Sequence, residues 1–152
     1  MRRKDKEIAD LSEIESIIKE ANMCRLGMAD ADNPYVVPMS FGYRDHALYF
    51  HGALKGKKID YLKKNPKVCF EIDLLAEPMI SDEACGWSMR FKSVIGFGTA
   101  LFIHDLEEKR AALKIIMAQY SNETFAFPEN KVNATAVIKV EIERMSGKQS
   151  GF

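Results

Sequence analysis

Cysteine is scarce. The three present, Cys24, Cys69 and Cys85, are odd in number, far apart and form no CxxC pair. That pattern excludes a disulfide framework and a thiolate zinc site. Cys24 and Cys69 fall in strand-like runs and read as small buried hydrophobes, whereas Cys85 sits in a loop. His46, His51 and His104 show no HxxxH or HxH spacing, so no metal is expected. Charge of one sign is also missing. Lysine and arginine number 22, aspartate and glutamate 22, and the net charge is zero. No global field therefore favours nucleic acid or an anionic membrane, and no strand face combines aromatic with basic residues as single-strand binders do. No apolar run approaches the length of a membrane span. The opening MRRKDKEIAD lacks the apolar stretch of a signal peptide, so a cytoplasmic protein is expected. There is no GxGxxG fingerprint for a separate nicotinamide site and no Walker A loop.

What is present is an ordinary globular balance, 47% hydrophobic and 29% charged over 152 residues. It suits one domain spanning residues 1–152 with a real core. Leu11 to Ala21 carries apolar residues at helical spacing, with Asp10 or Ser12 as cap. Met23–Ala29, Tyr35–Tyr43 and Ala47–His51 read as three strands of an antiparallel meander. Gly56–Asn65 is a short helix stopped by Pro66, and Val68–Leu74 a strand. Leu75–Gly86 reads as a loop. Trp87–Ile103 is a long strand, with Gly96 and Gly98 predicting a bulge or bend. Leu106–Tyr120 is an amphipathic helix capped by Asp105. Ser121–Asn133 is a loop and Ala134–Met145 a half-buried strand, followed by a polar, mobile tail over 146–152. This order predicts an α+β fold: a mostly antiparallel barrel with flanking helices.

The segment ALYFHGALKGKKIDYLKKNPKVCFE, from Ala47 to Glu71, carries the chemistry. Lys55, Lys57 and Lys58 crowd the start of the short helix, and no acid appears before Asp60. Cations there oppose the helix dipole. A bound phosphate resolves the conflict, because free backbone N–H groups and lysines converge on one anion. The bland alternative is a solvated basic face, which suits Lys63, Lys64 and Lys67. His51, at the junction of strand and basic loop, reads either as a surface histidine or as a site residue. Pro38 marks an edge strand, a bulge, or a backbone turned toward a ligand. Trp87, the lone tryptophan, reads as a core or interface aromatic or as a stacking residue.

In order and spacing, CRLGMAD, PYVVPMSFGY, LYFHGALKGKKIDYLKKNPKVCFE and SVIGFGTA, followed by a helix opening DLEEKRAAL, resemble the FMN-binding split barrels of the pyridoxamine-phosphate-oxidase-like proteins. The opening MRRKDKEI and Gly147-Lys148 fit the same pattern. The similarity is closest to the nitroimidazole-resistance (Nim) branch. It implies a split barrel, FMN as cofactor, and a homodimer with the cofactor at the interface. It implies that Val37, Pro38, Met39, Ser40 and Phe41 run along the isoalloxazine edge. It implies that His51, Gly52, Ala53, Lys57, Lys58 and Ile59 surround the ribityl phosphate. The partner subunit would contribute Ser93 and Val94, with Trp87 and Arg90. His51 would be the catalytic proton donor. The implied activity is reduction of a small organic acceptor of the nitroaromatic class, with NAD(P)H as a donor docking over the same flavin. The rival within this resemblance is a flavin- or haem-binding module without turnover. Two departures argue against vitamin B6 phosphate as substrate. The terminal Arg-Leu-x-Pro segment of the oxidases proper is replaced by Arg144-Met-Ser-Gly-Lys148. Their Arg-x-Val-Leu strand pattern is replaced by YVVPMSF, without the arginine.

Overall fold

The fold is organised by a two-residue crossing. In the computed structural model, which describes residues 3–152, strands β1 (Glu7–Ile8) to β8 (Thr135–Ser150) form one antiparallel sheet. Its order is β3 (Asn33–Met39), β2 (Cys24–Asp30), β6 (Lys67–Met79), β7 (Ser88–Ile103), β8, β5 (Ala47–Ala53), β4 (Gly42–Arg44), with β1 paired to β8. β3 and β4 are the two ends of that path, yet only Ser40 and Phe41 separate them in sequence. The three steps from Met39 to Gly42 reach roughly 10 Å. The sheet must therefore curl until its ends meet, which makes it a barrel that is split where β3 passes into β4. The expected strand Tyr35–Tyr43 thus divides, its first half pairing with β2 and its second with β5. The expected meander is corrected accordingly: a continuous middle strand would leave the barrel open.

The helices follow their caps. Asp10 accepts from the Ser12 N–H at the start of α1 (Leu11–Glu20), and Asp105 from the Glu108 N–H at the start of α3 (Leu106–Ala118). Between them α2 (Lys57–Lys64) has no side-chain cap. A short α4 (Glu129–Asn133) lies within the stretch expected to be loop, and buries Val132. Two further differences concern strand length. β6 continues to Met79 beyond an irregularity at Leu75, where φ is +56°. β8 runs to Ser150, so residues 146–150 of the expected mobile tail are paired with β7, and Gly147 and Lys148 also with β1. Of the opening MRRKDKEI, Met1 and Arg2 lie outside the described residues.

Inward-facing residues alternate along each strand and fill the barrel. Leu26, Phe50, Phe70, Ile72, Val94, Ile138 and Val140 are fully buried there. Gly96 faces inward beneath the Phe70 ring, and a Cβ there would stand 2.2 Å from Cζ. The predicted bulge is present: Phe97 pairs with Arg144 and Gly98 with Ile142, leaving Glu143 unpaired. No helix among the described residues is long and apolar enough to cross a membrane.

Candidate functional site

Local sequence builds the site at the mouth of the β5–α2 turn. β5 ends at Ala53, and Gly56 takes φ +134°, a conformation that favours glycine, as it turns the chain into α2. The first amide bonded back within the helix is Asp60, to the Gly56 carbonyl (3.0 Å). The N–H groups of Lys57, Lys58 and Ile59 therefore have no helical partner. Lys58 is half-buried beside Gly52, and a Cβ at Gly52 would stand 3.0 Å from its Nζ. Partial burial lowers the Lys58 pKa, and among the described residues it forms no ion pair. His51 titrates below its ordinary value, first because it is partly desolvated and second because Lys58 is near. An uncapped helix start, an unpaired half-buried cation and a neutral imidazole together form a cradle for an anion.

Lys57 differs from Lys58. Its ammonium lies over the Tyr35 ring (4.5 Å) and near that of Tyr61 (5.6 Å), a cation–π seat between β3 and α2. The side chain of Ile59 belongs to the core.

The Val37–Phe41 stretch reaches the same corner. The β4–β5 ladder ends at the pair Gly42 and Tyr49, and the next outward positions of that register are Ser40 and His51. Pro38 lies on β3, which pairs with β2 alone, so its missing N–H breaks no ladder. Met39 and Phe41 point their side chains into the core, while Pro38 and Ser40 are exposed. The Phe41 N–H donates to Tyr120 Oη (2.8 Å), whose hydroxyl donates in turn to the Asn22 carbonyl (3.1 Å). Beside it, Gln119 Nε2 donates to the carbonyls of Ile18, Lys19 and Ala21. The end of α3 therefore fixes the crossing from β3 to β4. In the sequence Tyr120 reads as the last apolar position of the Leu106–Tyr120 helix, and its hydroxyl role carries no sequence signal.

The remaining predicted residues lie elsewhere in the chain. Ser93 pairs with Lys148 of β8, whereas His51 pairs with Val137 of the same strand. From Val137 to Lys148 is roughly 35 Å of strand. Val94 is fully buried. Arg90 stacks on the Phe152 ring (4.7 Å). Trp87 is 53% exposed, with its indole N–H donated to the Ser81 carbonyl (2.7 Å), so it is no core anchor. One chain thus brings together residues 38–40, His51, Gly52 and Lys58, but not Ser93, Trp87 or Arg90. Outward from β7, Ile95 (45% exposed), Phe97 (37%) and Leu101 (43%) form an uncovered apolar row, with the Arg144 guanidinium over Phe97 (4.0 Å).

Comparison with known proteins gives the family. The family described as Pyridoxamine 5'-phosphate oxidase matches residues 10–149. The chain belongs to that family. A crystal structure from Bacteroides thetaiotaomicron VPI-5482, provisionally named a 5-nitroimidazole antibiotic resistance protein, is 41% identical. That match covers 93% of this chain and 85% of the other, with a TM-score of 0.85. The similarity to the nitroimidazole-resistance branch of the oxidase family therefore extends over nearly the whole chain. A flavocytochrome from Azotobacter vinelandii shares the fold at 22% identity and a TM-score of 0.88, over all of this chain and 72% of that one. An uncharacterised protein of Rhizobium meliloti (strain 1021) is 32% identical over 60 residues, a span covering 40% of this chain and 39% of the relative.

Proposed function

We propose that this member of the oxidase family is an FMN-binding flavoprotein that reduces a small organic acceptor of the nitroaromatic class. The observation that carries the reading is Lys58: a half-buried cation with no carboxylate partner among the described residues, beside the unbonded N–H groups of an uncapped helix. These residues fit the terminal phosphate of FMN. The name of the Bacteroides relative supports the acceptor class.

FMN, when bound, supplies the redox chemistry, and the protein supplies binding, orientation and electrostatics. Lys58 and the first amides of α2 would hold the phosphate. Pro38 has no N–H, Met39 is paired with Cys24 in the β2–β3 ladder and the Phe41 N–H is committed to Tyr120, so Ser40 is the main-chain donor left to the ring edge. The His51 imidazole is neutral near pH 7. A phosphate beside it would raise its proton affinity and let it hold a proton for the acceptor. The exposed row Ile95, Phe97 and Leu101 supports a homodimer, in which the partner's β7 would complete the site. With no separate nicotinamide fingerprint, NAD(P)H would serve as donor by docking over the same cofactor.

The test is turnover by FMN-loaded protein given NADH and 2-methyl-5-nitroimidazole, read as loss of nitro absorbance. Consumption that falls in the His51→Ala variant supports the reading. Retained FMN without consumption would instead support a cofactor-binding module.

A further inference from the structure

A cavity of about 340 Å³ opens where the ends of β5 and β7, the start of β8, α2 and α3 converge. Ile59 aside, it shares no residue with the flavin site proposed above. Ile59, Ala136, Val137 and Lys109 form its buried floor, and Phe102 and Ile103 are half-buried in its wall. Lys63 and His104 stand exposed at its rim.

Lys109 is the unusual element. It is only 8% exposed, yet it forms no ion pair among the described residues. Of its three ammonium donors, one reaches an acceptor, the Thr135 carbonyl at 2.8 Å. A buried cation without an opposite charge is costly. The acids nearest in sequence are engaged elsewhere. Glu107 pairs with Arg110, Asp105 caps the Glu108 N–H, and Glu108 lines a different groove. No aspartate or glutamate lines the cavity.

We infer that this cavity binds an apolar monocarboxylic acid, with its carboxylate on Lys109 and its chain against Ile59, Phe102, Ile103 and Val137. Charge complementarity selects an anion, since every ionisable group of the lining is basic. A single buried ammonium matches a monoanion, whereas a phosphate dianion would need more donors than the floor offers. The volume lies at the small end of ligand cavities and suits a chain of medium length. The inference does not depend on the flavin reading.

The test is calorimetric titration of the full chain with octanoate and with octan-1-ol, each with and without saturating FMN. Saturable octanoate binding is expected, with octanol weaker by about tenfold or more, the worth of one charge-assisted hydrogen bond. FMN should leave both unchanged. Lys109→Met should remove the preference for octanoate, Lys63→Gln should reduce it by about threefold, and Lys58→Ala should leave it intact. Equal affinity for the two probes, no saturable octanoate binding, or displacement of octanoate by FMN would each overturn the inference. If Lys109→Met does not fold, Ile103→Trp, which fills the half-buried wall of the cavity, takes its place, and octanoate binding unchanged in that variant would overturn the inference.

Discussion

The Lys58 ammonium lies directly over Gly52, close enough that a Cβ there would stand 3.0 Å from Nζ. Glycine leaves room for the cation at the strand end, and among the described residues no carboxylate pairs with it. Lys58→Ala should weaken FMN binding by about tenfold or more, because a charge-assisted hydrogen bond is lost. Gly52→Ala should weaken it in the same direction by displacing the ammonium. Lys57→Ala should have the smaller effect, since Lys57 rests on Tyr35. Fluorescence titration with FMN reads all three, and equal losses for Lys57 and Lys58 would contradict the distinction.

His51 gives a pH signature. Its pKa is lowered in the folded protein by partial desolvation and by Lys58. Below the ordinary histidine value of about 6.5, the unfolded chain takes up a proton that the folded chain still refuses. The His51 contribution to stability is therefore full above that pH and is lost as pH falls toward the folded-state value. Denaturant titrations at several pH values should show this, and His51→Ala should flatten it. Bound FMN should move the His51 titration upward, which NMR can follow.

Tyr120→Phe removes the acceptor of the buried Phe41 N–H and should cost about 1–3 kcal/mol. Urea unfolding measures it. The same variant should loosen the β3–β4 crossing, visible as faster hydrogen exchange at Phe41.

The chain's order of elements was legible because periodicity, caps and turn residues agree: Asp10, Asp105 and Pro66 all mark the boundaries they predict. The short helix with lysines in its first turn was legible too, because Gly56 and Pro66 bound it on either side. Three things were not legible. The split at Ser40–Phe41 is set by where the barrel closes, and in the run YVVPMSFGY Pro38 marks an edge strand without fixing where the strand divides. The pairing of 146–150 depends on β7 and β1, neither of which is local to that polar segment. The Tyr120 hydroxyl bond joins residues 79 positions apart, beyond the reach of any spacing rule. The cation–π seat of Lys57 likewise depends on Tyr35, across the barrel mouth.

The exposed row on β7 predicts assembly. Ile95→Glu with Phe97→Glu places two charges on an outer face, away from the core, and should give a folded monomer by sedimentation. FMN retention should fall with the dimer, because Ser93 and Arg90 lie far along the sheet from His51. A monomeric variant that keeps FMN at unchanged affinity would show that one chain suffices for the cofactor.

Cofactor binding is tested by an absorption spectrum of the purified protein after FMN is added and the excess removed by desalting. A flavin spectrum at about one FMN per chain should be retained, as a built anion site requires, and lost in Lys58→Ala. A colourless protein after desalting would contradict it, leaving the barrel in place and the flavoprotein reading without support.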